Sequence, residues 1–501
     1  MYIHKVVANL YRDSVSLMQL SASLAKLPGV EQASAVMATP ANLDLLKDAG
    51  LMDDAVPASP NDLLIAVRGR SAAPLEAAIA AAVSALDKPP ERPAGGGPAA
   101  QPPRSLQMGL AQTPEANLAL ISVPGEYAAA EAMKALRLGL NVMLFSDNVA
   151  LSDEISLKKY SREKGLLVMG PDCGTAIIDG IPLGFANAVR RGAIGVVGAS
   201  GTGTQQVTSL VHRRGAGISH AIGTGGHDLH QDVGGISMLQ GLKLLSRDPE
   251  TKAIVLISKP PSPSVAKEVL AAARRAGKPV VVNFVGAAQE AAGENLYPVK
   301  TLEEAAVAAV ALAAGRRPAR ASTSKVTLPR IAFKKSQRYI RGLYSGGTFC
   351  YEASYLLDDA WSNTPVNPAR KIKDVWKSQG HTLVDLGDDV FTRGRPHPMM
   401  DHRLRNERLL EEAADPEVAV ILFDVVLGYG SHPDPAAEMI PTLLKAKKGR
   451  ALAFVASVCG TDEDPQGLAR QEAALREAGV LLAESNARAV MLAAAIAKRL
   501  A

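Results

Sequence analysis

The feature that most constrains the fold is an alternation of apolar strand patterns and helical patterns over residues 116–313 and again over 341–499. Helices of roughly 10–15 residues separate the strands, which is typical of parallel sheets with crossover helices. We therefore predict an α/β fold of tandem doubly wound parallel-sheet domains, Rossmann-like and flavodoxin-like. The carboxyl ends of such strands line crevices that bind phosphates and cofactors.

Composition divides the chain at two places. Residues 88–105 contain six Pro and three Gly without apolar periodicity, which is typical of a linker. Residues 315–336 form a basic connector. The predicted domains are a small N-terminal α/β module at 1–87, a Rossmann-like domain at 106–190, and flavodoxin-like domains at 191–314 and 337–501.

The charge of +5 is concentrated near the connector. Eight basic residues and no acidic ones occur between Arg316 and Arg338, and the rest of the chain carries a net charge of −3. We therefore expect no nucleic-acid partner.

No apolar run approaches the roughly 18 residues that span a membrane, and the N-terminus lacks the pattern of a secretory signal. With three cysteines, too few for a disulfide framework, the sequence predicts a cytoplasmic protein with no membrane partner.

Three glycine-containing turns each connect a predicted strand to a predicted helix. Glycine leaves backbone N–H groups accessible and the helix N-terminus adds partial positive charge, so each turn can bind a phosphate. The alternative is a tight turn without a ligand. The candidate phosphate-binding residues are Ser200, Gly201 and Thr202 in the first turn, Ser345, Gly346, Gly347 and Thr348 in the second, and Gly428, Gly430 and Ser431 in the third.

Two histidine-containing segments also suggest chemistry. His397 lies in Arg393–Pro398 between arginines and Asp401, which suits binding of a carboxylate or phosphate. The alternative is a polar surface loop. His227 and His230, with Asp228 and Asp232, have a spacing that metal ligands can have. We interpret them as polar loop residues and predict no metal site.

Several segments resemble a known family. The segments that resemble the α subunit of succinyl-CoA synthetase, in order, are Ala116–Gly125, Val168–Gly174, Gly198–Thr202 and Gly223–Gly226. Leu383–Asp388 and Pro416–Gly430 resemble the carboxy-terminal domain of its β subunit. The fusion in this order, after an extra N-terminal module, is most similar to the FdrA proteins, usually called acyl-CoA synthetase FdrA. The resemblance covers roughly residues 5–495.

The resemblance implies a site in which two helix N-termini hold the phosphate of a phosphohistidine. By motif, Ser200–Thr202 corresponds to the first and Gly428–Asp434 to the second. However, residues 281–314 contain no histidine, and Lys259 lies where the supporting glutamate is expected. Both catalytic groups of the family are therefore missing. Lys259 suits a bound phosphate, and it is our candidate catalytic residue together with His397.

The resemblance also implies CoA as a cofactor. It makes 106–190 a partial CoA-binding domain, matched from Ala116 to Ile181, but residues 1–110 show no glycine-rich loop. We interpret the thiol in this domain, at Cys173, as buried and inert rather than nucleophilic. The candidate cofactor-binding residues are Pro124, Gly125, Pro171, Asp172 and Cys173.

Three functions remain open at this point. The first is an acyl-CoA synthetase of the succinyl-CoA ligase (ADP-forming) type that handles an acyl-type phosphate directly. The second, which data on FdrA-like proteins imply, is a subunit of an oxamate carbamoyltransferase that converts oxalurate and phosphate to oxamate and carbamoyl phosphate in allantoin degradation. The third is a non-catalytic scaffold or ligand-sensing subunit. We expect a small carboxylate or an acyl phosphate as ligand, an oligomer, and partner subunits for any nucleotide chemistry, since no ATP-grasp domain is visible.

Overall fold

The computed structural model describes residues 1–52, 56–87, 103–287, 293–318, 331–393 and 395–500. Most of the predicted linker and the middle of the predicted connector lie outside the described residues. The chain forms two compact units, the first made of Met1–Leu166 with Asp389–Met400, and the second of Leu167–Asp388 with Asp401–Ala501. The boundary at Leu166 falls inside the Rossmann-like domain predicted at 106–190.

The first unit begins with the predicted small α/β module. Its elements are β1 (Tyr2–Val7), α1 (Ser14–Leu24), β2 (Val30–Met37), α2 (Pro40–Asp48), β3 (Leu63–Gly69) and α3 (Ala72–Asp87). The strands form an antiparallel sheet in the order β1-β3-β2. Successive side chains of a strand point to opposite faces, so Ile65 joins one apolar cluster and Leu64 another. The central strand β3 is therefore buried on both faces.

The first unit continues with a parallel strand pair and its helices. These elements are α4 (Leu106–Gln112), β4 (Leu118–Ile121), α5 (Gly125–Arg137), β5 (Asn141–Leu144) and α6 (Leu151–Lys164). Strands β4 and β5 pair in parallel. Helix α5 is amphipathic and buries Ala128, Ala132 and Ala135, which satisfies the helical period that the sequence shows.

The second unit contains a seven-stranded sheet. The elements from residue 168 to residue 313 are β6 (Val168–Met169), β7 (Thr175–Ile178), β8 (Ile181–Gly184), β9 (Arg191–Gly198), α7 (Gly201–Arg213), β10 (Ile218–Gly223), α8 (Ile236–Arg247), β11 (Ala253–Ser258), α9 (Pro263–Arg274), β12 (Val280–Phe284), β13 (Leu296–Pro298) and α10 (Leu302–Ala313). The sheet order is β13-β12-β11-β9-β10-β7-β8. The strands from β13 to β10 are parallel, and the hairpin β7–β8 adds an antiparallel edge.

The second unit also contains a six-stranded parallel sheet. Its elements are β14 (Tyr339–Tyr344), α11 (Gly347–Leu356), β15 (Trp361–Ser362), β16 (Thr382–Asp385), α13 (Arg403–Ala414), β17 (Val418–Val426), α14 (Pro435–Lys447), β18 (Ala453–Cys459), α15 (Leu468–Glu477), β19 (Val480–Ala483) and α16 (Asn486–Lys498). The short helix α12 (Asp389–Thr392) belongs to the first unit. The sheet order is β15-β16-β14-β17-β18-β19. All nine residues of β17 are buried, as expected of a strand covered on both faces.

These sheets confirm the predicted α/β class with tandem parallel sheets and a small N-terminal α/β module. The hairpin β7–β8 lacks a helix between its strands, so the alternation rule could not find it. In the part of the chain that the structure describes, no helix is long and apolar enough to cross a membrane.

Candidate functional site

Two of the predicted glycine turns lie at points where the strand order of a sheet reverses. Strand β9 lies between β10 and β11, and β14 lies between β16 and β17. The chain leaves each of these central strands toward one side of the sheet and later returns on the other side. In open α/β sheets this geometry opens a crevice at the carboxyl end of the strand, where ligands bind. The turn at Ser200 follows β9, and the turn at Ser345 follows β14.

The N-termini of α7 and α11 meet at these two turns. The hydroxyl oxygens of Ser200 and Thr348 are 2.6 Å apart. The Ser200 side chain also caps α7 by accepting a hydrogen bond from the Gly203 N–H at 3.1 Å. Helix N-termini carry partial positive charge, so this contact brings two such ends together.

Glycine is required here because the two turns pack closely. A Cβ atom at Gly203 would lie 3.2 Å from Cγ2 of Thr348, and one at Gly346 would lie 3.0 Å from Cγ2 of Thr202. A Cβ at Gly347 would lie 2.5 Å from Oδ2 of Asp385. Close packing therefore accounts for part of the glycine pattern without any ligand.

Some of the N–H groups at the junction remain available. Within the described ranges, no acceptor is hydrogen-bonded to the backbone N–H of Gly201 or Thr202 on α7, or of Gly347 or Thr348 on α11. Gly201 is exposed and Gly347 is partly exposed. The first N–H groups of a helix lack intrahelical partners and are commonly satisfied by an anion. These four N–H groups are therefore candidate donors to a phosphate, at exposed or partly exposed positions for Gly201 and Gly347 and at buried positions for Thr202 and Thr348.

A carboxylate of the protein already satisfies the turn that precedes α11. Asp424, near the carboxyl end of β17, accepts hydrogen bonds from the Ser345 N–H and hydroxyl, both at 2.7 Å, and from the Gly346 N–H at 2.9 Å. Asp424 also pairs with Arg405 at 3.2 Å, and both side chains are fully buried. Ser345 and Gly346 were predicted to bind phosphate, but their donors serve Asp424 instead, which corrects that prediction.

Asp385 ends β16 beside the same junction. Burial raises the pKa of its carboxyl to about 7, against the positive charge of Lys259 and the hydrogen bond from Gly387, which lower it. A carboxyl with a pKa near 7 can exchange a proton at neutral pH. Lys259, the predicted catalytic residue, is exposed, and its Nζ lies 5.3 Å from the centroid of the Tyr351 ring. The positive charge of Lys259 is close enough to Asp385 to lower the pKa of its carboxyl.

The third glycine turn packs against the segment that follows β8, and its correspondence with the second helix N-terminus of the family stays a prediction. A Cβ at Gly428 would lie 2.6 Å from the carbonyl oxygen of Ala186, and one at Gly430 would lie 2.6 Å from the Phe185 ring. The N–H of Gly428 donates to Gln466. The buried hydroxyl of Ser431 has no hydrogen-bond partner among the residues that the structure describes, so its role in phosphate binding stays a prediction.

His397 lies in the first unit, and its role in anion binding stays a prediction. It is partly buried, and its Nδ1 accepts a hydrogen bond from the Met399 N–H at 3.2 Å. Burial lowers the pKa of its imidazole to about 4. The ring is therefore neutral at pH 7 and adds no positive charge for a carboxylate or a phosphate.

The predicted cofactor-binding residues fall in both units. Pro124 and Gly125 lie in the first unit at the start of α5, where a Cβ at Gly125 would meet the carbonyl oxygens of Asp147 at 2.3 Å and Asn148 at 2.6 Å. Glycine at this position is therefore required by the close approach of the loop at Asp147 and Asn148, and the role of Pro124 and Gly125 in cofactor binding stays a prediction. In the second unit lie Pro171, Asp172 and Cys173; the Cys173 side chain is buried against Gly223.

The second histidine segment has a structural role. Asp228 is fully buried and accepts hydrogen bonds from the N–H groups of Ser237 and Met238, in the first turn of α8. A carboxylate in that position satisfies two N–H groups of the helix terminus. The rings of His227 and His230 lie 5.2 Å apart.

Sequence reasoning missed two residues of this site, Asp424 and Asp385, as parts of its chemistry. Asp424 is visible as a single acidic residue inside the apolar strand β17, and a buried charge requires a partner. That signal predicts a buried ion pair. It does not identify Arg405 or the turn at Ser345, because these contacts form only in the folded sheet.

Comparison with known proteins gives three family matches along the chain. The family model described as CoA-ligase matches residues 343–496, and the CoA binding domain model matches residues 189–286. The model described as "AllF, heavy metal-associated domain" matches residues 1–102. The CoA-binding match thus covers β9, α7 and the turn at Ser200.

The chain is also similar to individual proteins. The protein YahF of Escherichia coli (strain K12) is 45% identical over 97% of this chain and 96% of its own length. The mitochondrial succinate–CoA ligase (ADP-forming) subunit alpha-2 of Trichomonas vaginalis is 32% identical over 36% of this chain, which spans 60% of that protein. The acetyl-coenzyme A synthetase 1 of Ca. Korarchaeum cryptofilum, solved with phosphate and ADP, matches 77% of this chain and 83% of its own at 16% identity, with a TM-score of 0.33.

Proposed function

Since the chain belongs to the family of Escherichia coli YahF and carries a CoA-binding and a CoA-ligase domain, we propose that it acts on an acyl-type phosphate. The proposed site is the junction of α7 and α11. The observation that carries the proposal is the contact between Ser200 and Thr348, which joins two helix N-termini with open N–H groups. The reaction proceeds without a phosphohistidine.

The chemistry requires stabilisation of phosphate charge. In the direction of phosphorolysis, a phosphate oxygen attacks the carbonyl carbon of an acyl donor, the bond to the leaving group breaks, and the leaving group takes up a proton. The N–H groups of Gly201, Thr202, Gly347 and Thr348 would hold the phosphate and stabilise its charge. Asp385, with a pKa near 7, would supply or accept the proton. Lys259 would add positive charge.

Residues 281–314 contain no histidine, which supports a direct reaction rather than a covalent phosphoryl transfer through imidazole. The fold of the site would still position a phosphate without that imidazole, since backbone N–H groups do not depend on it. The proposed site therefore lacks the imidazole of the covalent reaction but keeps the N–H groups that would bind phosphate.

CoA enters this proposal as a candidate acceptor. A CoA-binding domain is present at residues 189–286, and CoA would supply a thiol. The cofactor-binding residues that the family resemblance implies at Pro124 and Gly125 lie outside this match. The proposal therefore assigns no step to CoA beyond that of an acceptor.

A second candidate function is a component of an oxamate carbamoyltransferase. The match of residues 1–102 to the AllF N-terminal model supports a connection with allantoin degradation. In this reaction phosphate attacks the carbamoyl carbon of oxalurate, and oxamate leaves with a proton. The product, carbamoyl phosphate, is an acyl-type phosphate, so the same junction would serve.

The experiment uses the full chain, with and without its co-purifying proteins. Formation of carbamoyl phosphate from oxalurate and phosphate tests the second candidate, and consumption of acetyl phosphate with CoA tests the ligase-type reaction. Phosphate binding is followed by ³¹P NMR in the wild type and in the double variant Ser200→Ala, Thr202→Ala. The control is Ser246→Ala, which removes an exposed hydroxyl bonded within its own helix.

We expect phosphate binding in the wild type and the control, and a loss of about tenfold in the double variant. Removing the Ser200 hydroxyl deletes the cap of α7 and its contact with Thr348, which hold the N–H donors of the two helices in position. Equal phosphate affinity in all three proteins would refute the site. Absence of both reactions, with every co-purifying protein present, would favour the scaffold or ligand-sensing alternative.

A further inference from the structure

A cavity of about 630 Å³ lies in the second unit, beside α9 and the end of β12. Its wall is mainly apolar, with Pro260, Leu270 and Phe284 among the lining residues, and two lysines, Lys267 and Lys300, also line it. This volume lies within the range of small-molecule sites, which are typically about 300–1,000 Å³. Neither the family matches nor the proposed phosphate site assigns a role to this cavity.

The cavity lies at the same edge of the sheet as Ser200. Strands β9, β11, β12 and β13 are neighbouring and parallel, so their carboxyl ends share one edge. Ser200 follows β9, and the cavity is lined by residues that end or follow the other three strands. Ligands of open α/β sheets bind at this edge.

A short series of contacts connects the cavity to the proposed phosphate site. Gly286 lines the cavity, and a Cβ at that position would lie 3.6 Å from the Tyr351 ring. The Nζ of Lys259 lies 5.3 Å from the centroid of the same ring. The Lys259 charge in turn lowers the pKa of Asp385, which adjoins Gly347. The cavity is thus adjacent to the groups proposed for catalysis.

The charges that line the cavity specify the kind of ligand. Lys267 and Lys300 are exposed, and in the described part of the chain neither ammonium group forms an ion pair with a carboxylate. A free phosphate would pair with the lysines but would bury no apolar surface against the wall. A neutral apolar ligand would bury that surface but would leave both lysines without an anion. An organic carboxylate matches both features, because its carboxylate pairs with lysine while its carbon chain leaves water.

We propose that this cavity binds the organic part of a small carboxylic acid substrate, with Lys267 and Lys300 as the carboxylate-binding residues. The inference rests on the proposed function, since it gives the acyl partner of the phosphate a place beside the junction. The ligand class is a monocarboxylate or dicarboxylate with a short apolar chain.

The test measures binding of butyrate to the full chain by ligand-observed NMR, with the uncharged butanamide as the matched ligand. Two variants probe the cavity: the double charge reversal Lys267→Glu, Lys300→Glu, and Ala266→Trp, which fills part of the volume. Their controls lie on the same helix outside the cavity lining: Arg274→Glu for charge and Ser264→Trp for size. Thermal unfolding establishes that each variant is folded.

We expect butyrate to bind at least tenfold more tightly than butanamide, and both cavity variants to reduce butyrate affinity at least tenfold while the controls do not. Equal binding of the two ligands, unchanged affinity in Ala266→Trp, or no butyrate binding would overturn the inference. The phosphate affinity of Ser200→Ala separates the two proposals. If butyrate behaves as expected but Ser200→Ala leaves phosphate affinity unchanged, the carboxylate site stands and the phosphate site fails.

Discussion

The hydroxyl oxygens of Ser200 and Thr348 lie 2.6 Å apart although 148 residues separate them in the chain. Each residue stands at the start of the helix that leaves a central strand, one in each parallel sheet of the second unit. The contact therefore fixes the distance between two helix N-termini. A ligand with several negatively charged oxygens would contact both ends at once.

This contact predicts an energetic coupling between the two hydroxyls. Ser200→Ala removes the cap of α7 as well as the contact, and loss of a cap costs about 1 kcal/mol. Thr348→Val removes only its own hydroxyl. We expect the double variant to be less destabilised than the sum of the single variants by about 0.5–1.5 kcal/mol. Urea unfolding of the four proteins measures this, and strict additivity would contradict the hydrogen bond.

Gly347→Ala should disrupt the site with little effect elsewhere. The added Cβ would lie 2.5 Å from Oδ2 of Asp385, so the carboxyl must move away from α11. We expect a loss of at least tenfold in turnover of the acyl-type phosphate. Gly226→Ala is the control, because a Cβ there meets no atom within 4 Å. Similar activity in both variants would show that the position of Asp385 does not matter.

The rate should depend on pH through Asp385. Burial raises the pKa of its carboxyl to about 7, so the group is protonated at pH 6 and largely ionised at pH 8. We expect an inflection near pH 7 in the pH profile of kcat/KM. If Asp385 serves as a base, kcat/KM falls below this pH, and if it serves as an acid, kcat/KM falls above it. Asp385→Asn should remove that inflection. Its persistence in the variant would assign the titration to another group.

The buried pair of Arg405 and Asp424 predicts an asymmetric response to mutation. Asp424 accepts three hydrogen bonds from Ser345 and Gly346 in a fully buried position. Arg405→Met leaves that carboxylate without its cation, which typically costs about 3–5 kcal/mol. Arg405→Met with Asp424→Asn leaves a neutral amide and should recover part of the loss. A double variant no more stable than Arg405→Met would argue against the charge as the cause.

The sequence predicted the α/β class and the two turns that meet, at Ser200 and Ser345. Both predictions depend on patterns within a short segment, namely glycines after a strand and the spacing of apolar residues. The sequence did not single out the contact between Ser200 and Thr348, because two residues meet across sheets only through the packing of whole elements. The donors of Ser345 appeared free for the same reason: Asp424 reaches them from a strand 79 residues away. The cavity at Lys267 could not be predicted either, because it forms only where the ends of three strands, β11, β12 and β13, come together in the folded sheet.

Glu352 provides a test of stability against pH that does not depend on any activity. It is fully buried on α11 and accepts hydrogen bonds from the Leu302 N–H and Asn486 Nδ2, both at 2.8 Å. Burial raises the pKa of its carboxyl from 4.5 to about 7. The native state therefore keeps a proton that the unfolded chain releases, and this contribution to stability is complete below pH 4.5 and is lost as the pH rises through 7.

Glu352→Gln stays neutral at every pH, so its stability relative to the wild type should increase between pH 4.5 and pH 8. A rise in pKa from 4.5 to about 7 corresponds to about 3.4 kcal/mol, at about 1.36 kcal/mol per pKa unit. Urea unfolding at pH 5 and pH 8 measures the difference, and Glu477→Gln, at an exposed position, is the control that should follow the wild type. Parallel stability curves for Glu352→Gln and the wild type would show that the buried carboxyl titrates normally.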